Sequence, residues 1–312
     1  MDGSSLDYKH RPSKNIERHL IVEACRRFTM AYPNRYQYVG FGAFEFIDFQ
    51  LMHRALGIDK MISIEKKSTE RHEFNKPFRS IKVVRGQSNE LFRRNEISLE
   101  SPSIVWLDYT SKLKGAALDD LLQVARSISA PSFLLMTFNA QPAQGLANRL
   151  SEYVAAVGAE FVAPGATDIS LSKHGLADAQ LVSATAVIEK GLRERKDAGL
   201  QWFQCLNFHY QDGQLMQTIG GLLLPADATR SVVSQTFAGL DFYSPSTTYV
   251  DLKVPVITTK ERVFLDRQLP KKAITPLKAT GIPSADVEAY RRVYKYLHLA
   301  GLQSAVETTW TL

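Results

Sequence analysis

Two glycines and one acid carry the clearest chemical signal in the chain. Tyr38-Val-Gly-Phe-Gly-Ala-Phe44 ends an apolar run and opens into helix-like text, and Met61-Ile-Ser-Ile-Glu65 ends a second run on a carboxylate. Gly40 and Gly42, with Phe41 between them, let the backbone turn sharply and present N–H groups to a ligand at a helix N-terminus. Glu65 stands 23 residues after Gly42, where a carboxylate accepts hydrogen bonds from two ribose hydroxyls. This pairing points to a nucleoside cofactor, of which two classes compete. A dinucleotide wants a third small residue in G-x-G-x-x-G/A, yet position 45 is Glu, which would repel a pyrophosphate. S-adenosylmethionine has no phosphate and carries a positive sulfonium, so Glu45 does not count against it, and the balance tips to the methyl donor.

The elements that must position these residues follow from periodicity. Ile16, Leu20, Ile21, Cys25 and Phe28 recur at helical spacing, so an amphipathic helix precedes the first strand. Runs at Tyr36–Gly40, Met61–Glu65, Ile81–Val84, Ser103–Asp108 and Ser132–Thr137 read as strands. Helix-like segments separate most of them, among them Phe44–Leu56 with Phe44, Ile47, Leu51 and Ala55 on one face, and Ala116–Ile128. Alternating strands and helices imply parallel pairing through right-handed crossovers. The carboxyl ends of neighbouring strands then line one crevice, bringing the glycine turn, Glu65, Gly86-Gln-Ser-Asn89 and Asp108-Tyr109 together. Further on, helices read at Leu146–Val157 and Ala179–Arg195, and Gln211-Asp212-Gly213 marks an antiparallel hairpin. In that hairpin His209 is expected to point to solvent, and Trp202, Phe203, Phe208 and Tyr210 to line the sheet. After Leu240 the chain is punctuated by prolines and ends in a helix from Ser284 to Ala300. The expected architecture is a seven-stranded, doubly wound α/β sheet. Its expected division is a basic arm and helix at 1–35, a Rossmann-like domain at 36–225 and a C-terminal appendage at 226–312, acting as a lid or an interaction segment.

Tyr38–Phe44, Ile62–Glu65, Phe74-Asn-Lys-Pro77, Ile104-Val-Trp-Leu-Asp-Tyr-Thr110 and Tyr8–Lys14 resemble the class I S-adenosylmethionine-dependent methyltransferases, and more narrowly the bacterial proteins labelled putative O-methyltransferases. The likeness covers about residues 8–225. It implies that Gly40, Phe41 and Gly42 lie under the methionine part, that Glu65 holds the ribose with Lys66 beside it, that Gln87 and Ser88 flank adenine, and that Asp108 closes the fourth strand beside the reactive methyl. Phe44 stands where that pattern has a third glycine. Methyl transfer demands mostly orientation, plus a base when the nucleophile must lose a proton. Asp108 is the expected positioner or base and Tyr109 a stacking or hydrogen-bonding wall; the bland reading of Asp108 is a cap for the next helix. Arg11, Lys14 and Arg18 are expected to reach the substrate or a phosphate, and Phe74 and Asn75 to close over adenine; a solvated helix start and a plain turn are the structural alternatives.

Bulk properties narrow the partners. The chain has 312 residues, 45% of them apolar, and a net charge of +6. Between residues 53 and 94, eleven Lys and Arg face five acids, which favours a nucleic acid or nucleotide acceptor over a small neutral one. Cys25 and Cys205 read as buried free thiols. No metal site is expected, since no His-x-x-x-His pair occurs, and neither a phosphate loop nor a Gly-x-Ser-x-Gly elbow is present. Without an apolar leader or a span-length apolar stretch, the expectation is a cytoplasmic protein with no membrane partner. A protein partner through the appendage is also expected. The competing reading is a methyltransferase-like binding module with little catalysis, acting in a multi-protein bacterial defence or regulatory assembly.

Overall fold

The computed structural model describes residues 11–67, 70–195, 199–270, 277–278 and 281–297. Residues 8–10 of the Tyr8–Lys14 likeness and the end of the expected last helix lie outside them. In chain order the first half contains α1 (Pro12–Ala31), β1 (Gln37–Gly40), α2 (Ile47–Leu56), β2 (Lys60–Glu65), α3 (Glu70–Asn75), β3 (Ile81–Arg85), α4 (Ser88–Arg93), β4 (Ser103–Asp108), α5 (Gly115–Ser127) and β5 (Ser132–Asn139). The second half contains α6 (Arg149–Val157), α7 (Gly175–Arg193), β6 (Leu200–Gln211), β7 (Leu215–Pro225), α8 (Arg230–Thr236), β8 (Val250–Leu252), α9 (Thr259–Asp266) and α10 (Ser284–Leu297).

The strands form one sheet of order β3-β2-β1-β4-β5-β7-β6-β8. β1 to β5 pair in parallel, and β7 runs antiparallel to both β5 and β6. This is the doubly wound arrangement with a terminal hairpin, and it has one more strand than expected. The extra strand, β8, adds three residues in parallel beside Phe208–Tyr210; so short a run between prolines gives no period to read. It also changes the fate of His209. β8 and the ring of Tyr249, 3.9 Å from the His209 ring, cover that edge, so His209 is buried rather than solvated.

The chain leaves β1 toward β2 on one side and returns to β4 on the other, so the carboxyl ends of β1 and β4 flank the topological switch point, where open α/β sheets bind ligands. Burial on both faces explains why the central strands are almost unbroken apolar runs. On one face Phe28, Phe49, Phe133 and Phe237 join α1, α2 and α8, and Val287, Tyr290 and Val293 of α10 belong to the same cluster. On the other, Leu121, Val124, Phe138 and Ile188 join α5 and α7. Cys25 and Cys205 are buried free thiols. No helix among the described residues is long and apolar enough to cross a membrane.

Two local departures bear on the crevice. α2 starts at Ile47, because Ala43 (φ 48°) and Phe46 (φ 49°) sit in the left-handed region and prolong the turn. The bend rolls the helix so that Phe49 and Met52 face the core and Ala55 is exposed, in place of the expected face. α1 has no side-chain cap of its own; Asp212, in the hairpin turn, supplies one by accepting from the N–H groups of Ser13 (3.0 Å) and Lys14 (2.8 Å). The hairpin thus pins the start of α1 over the crevice.

Candidate functional site

Glu65 and the glycine turn touch. The N–H of Gly42 donates to Glu65 Oε1 at 3.0 Å and lies equally close to Ser63 Oγ, which itself donates to Oε1 at 2.8 Å. The N–H of Ala43 also reaches the Glu65 carboxylate. A side chain at Gly42 would collide with Phe46 and with Ser63 Oγ at about 2.5 Å, so glycine is required here for the turn to close on the strand beside it. On the far side, His72 Nε2 lies 3.1 Å from Glu65 Oε2. Burial raises the Glu65 pKa above the usual carboxylate range, and the Ser63 hydrogen bond and His72 work against that shift.

Asp108, at the end of β4, is held from beneath. Lys14 Nζ donates to its Oδ1 at 3.0 Å and lies 2.8 Å from Glu17 Oε2, with the ammonium 4.7 Å from the centre of the Trp106 ring. Glu17 accepts from Thr218, whose hydroxyl also meets that of Thr137 (2.8 Å), and Trp106 Nε1 donates to Thr137. A hydrogen-bonded chain therefore runs from the middle of the sheet to the crevice. Burial acts to lower the Lys14 pKa, but the carboxylates of Asp108 and Glu17 outweigh it and the ammonium is held charged. Burial pushes Glu17 up. A second pair, Arg18 Nε to Asp48 Oδ1 at 2.6 Å, ties α1 to α2.

Lys14 is therefore not a surface contact for substrate, as its place in the basic arm had suggested. It is 1% exposed because it falls on the apolar stripe of α1, and it acts on Asp108. Arg11 and Arg18 do line the hollow at the switch point, with Phe41, Gly42, Ala43, Asp48, Asp108 and Tyr109. That hollow measures about 70 Å³, room for a few waters and well below the several hundred Å³ of a typical ligand pocket. A larger one, about 140 Å³ and lined by Leu113, Tyr153 and Leu176, lies between α6 and α7 and does not include Asp108. By residue type the crevice fits a nucleoside: an acid ends β2, a glycine turn adjoins it, and charged groups of both signs line the hollow.

The adenine-side candidates are placed differently from one another. Gln87 is exposed just before α4, and Lys66 is exposed after Glu65. Ser88 is buried and donates to Asp120 Oδ2 at 2.6 Å, and the Tyr109 hydroxyl donates to the same oxygen. The Tyr109 ring stacks on Phe138, meets Phe41 edge-on and lines the hollow. Phe74 and Asn75 do not close over the crevice. They lie on α3, where Phe74 is 89% exposed and the Asn75 amide bonds back to the Arg71 carbonyl.

Asp120 supplies a pH signature. Burial first of all pushes its pKa up to about 6, against the pull of its bonds from Ser88 and Tyr109. Because the folded value lies above the unfolded one, the neutral acid stabilises the fold below about pH 4, and that contribution is lost as pH rises through about 6. Asp120→Asn should therefore gain stability on the native protein between pH 4 and 7, by about 2–3 kcal/mol at the top of the range in urea unfolding. A gap that stays flat over that window would contradict the assignment.

Sequence reasoning passed over Glu17, Asp48, His72 and Asp120. For Glu17 a signal exists: Lys14, Glu17 and Arg18 continue the stripe of Ile21, Cys25 and Phe28, and charges on the apolar face of a helix must be paired when buried.

A family model described as "Putative O-methyltransferase" matches residues 6–298. No curated protein matches the chain. Among solved structures it is similar to Trm1 from Pyrococcus horikoshii in complex with S-adenosyl-L-methionine (11% identity, 69% of this chain and 56% of that one, TM-score 0.45). It is also similar to a putative hemolysin from Streptococcus thermophilus (14%, 75% and 76%, 0.43), and to a putative O-methyltransferase from Nostoc punctiforme (8%, 66% and 55%, 0.36). The chain spans little more than half the length of the first and the last of these.

Proposed function

The chain belongs to the family described as "Putative O-methyltransferase", and from that membership we propose that it moves a methyl group from S-adenosylmethionine to an oxygen of an acceptor bound at the carboxyl edge of β1 and β4. The observation that carries the reading is the 3.0 Å contact between the Gly42 N–H and Glu65 beside the hollow that holds Asp108. When bound, the cofactor supplies an activated methyl on a sulfonium. The protein's part is then to orient the partners, exclude water and accept a proton from a hydroxyl acceptor. Glu65 would hold the ribose. Asp108, with the Lys14 ammonium 3.0 Å away, would position the acceptor or take its proton, and Arg11 and Arg18 would face the methionine carboxylate. Titration calorimetry with S-adenosylmethionine, S-adenosylhomocysteine and NAD tests this. Binding of the first two alone is expected, and failure of all three would return the chain to the binding-module reading.

For the acceptor we propose a nucleic acid or a nucleotide. What supports it is the open edge of the sheet: β3 is terminal, and the exposed Arg79, Lys82 and Arg85 form no ion pair among the described residues. Charges on an edge strand also deter pairing with a second sheet, so a charge reversal is the discriminating change. Lys82→Glu with Arg85→Glu still deters pairing but removes two phosphate contacts. The expected result is weaker binding to single-stranded RNA or DNA, with the slope of log K against log salt reduced by about 2. An unchanged slope would leave these cations their edge-guarding role only.

A further inference from the structure

The Glu65 carboxylate is the proposed ribose ligand, and it has no room for a ribose. A carboxylate offers about four lone-pair directions. Here the donors are the N–H groups of Gly42 and Ala43, the Ser63 hydroxyl and His72 Nε2. Three of these cannot withdraw cheaply. Ser63 is buried within β2, and Gly42 and Ala43 belong to a turn anchored by the fully buried Phe46. His72 differs. It sits on α3, a helix of six residues whose only buried side chain is His72 itself. The imidazole stacks on Phe44 (4.7 Å between ring centres) and meets Phe46 edge-on, and the Arg71 guanidinium lies 3.9 Å from the centre of the Phe44 ring. A helix that buries one side chain opens at lower cost than a buried strand or an anchored turn.

We propose that His72 occupies the ribose position on Glu65 and is exchanged for the ribose hydroxyls when the nucleoside binds, with α3 moving as the latch. This rests on the nucleoside reading given above.

The experiment measures S-adenosylhomocysteine affinity by calorimetry for the native protein, His72→Ala, His72→Gln and Arg71→Ala. Removing a competing hydrogen bond should tighten binding about three- to tenfold in His72→Ala. His72→Gln, which keeps an N–H donor, should return the affinity toward the native value. Arg71→Ala, an exposed change that loosens the stack without touching Glu65, should tighten binding in the same direction but less, and it keeps the test open if His72→Ala folds poorly. Unchanged or weaker binding in both alanine variants, with binding intact in the native protein, overturns the latch and makes His72 a support for Glu65. Absence of binding in every protein, with folding confirmed by circular dichroism, overturns the nucleoside reading and the latch with it.

Discussion

Lys14→Met is expected to cost about 3–5 kcal/mol of folding stability, the largest loss of any single change at this site. The reason is asymmetry. A buried ion pair adds little over a well-packed apolar pair, but deleting one partner strands the other in a medium that solvates it poorly. Lys14 neutralises two carboxylates, Glu17 at 2.8 Å and Asp108 at 3.0 Å, and Glu17 is fully buried. Asp108 opens onto the hollow and can recover water; Glu17 cannot. Lys14→Met with Glu17→Gln should therefore recover most of the loss, because Gln still accepts from Thr218 and carries no charge. Burial already raises the Glu17 pKa, and loss of Lys14 removes the main opposing influence. A raised carboxyl pKa contributes stability that is present at low pH and lost as pH rises through the folded value, so the deficit of Lys14→Met should shrink on acidification from pH 7 to 5. Urea midpoints with an unchanged m-value measure this. A single variant within about 1 kcal/mol of native would mean that the cluster is hydrated and the buried-charge account wrong.

How far the sequence revealed this site depended on the range of the forces involved. The glycine turn, the acid ending β2 and the order of strands and helices are written in local patterns of period two and period 3.6, and these were legible. The Lys14–Glu17–Asp108 cluster was not, since its members lie on α1 and β4 and only the fold brings them together. Its single local trace was charge on the apolar stripe of α1. His72 left none: one histidine in a charged segment looks like a solvated face until α3 is seen folded back on Glu65. β8 escaped because three residues cannot display a period, and with it went the burial of His209. Phe74 failed for the opposite reason. An aromatic beside Asn and Pro in a loop near a cofactor invites a stacking role, whereas the short helix that forms there turns the ring outward.

Glu65→Ala carries the second large effect: S-adenosylhomocysteine binding weakens by about 1–3 kcal/mol, roughly five- to two-hundred-fold in dissociation constant. The estimate is a difference. Two hydroxyls donating to one carboxylate form charge-assisted hydrogen bonds, each stronger than a neutral pair, but the bond from His72 at 3.1 Å must be given up to make them. The alanine variant neither gains the former nor loses the latter. Stability should fall as well, because the N–H groups of Gly42 and Ala43 and the Ser63 hydroxyl lose this acceptor, so circular dichroism must show the variant folded before its affinity is compared. Combining the two substitutions gives the sharper result. If ribose and imidazole compete for the same carboxylate, His72→Ala tightens binding only while Glu65 is present, and in the Glu65→Ala background its effect falls to nothing. A cycle of the four proteins would then show a coupling well outside the 0.3–0.5 kcal/mol within which independent sites add. Additive effects would separate the two residues and leave Glu65 without a role in gripping the sugar.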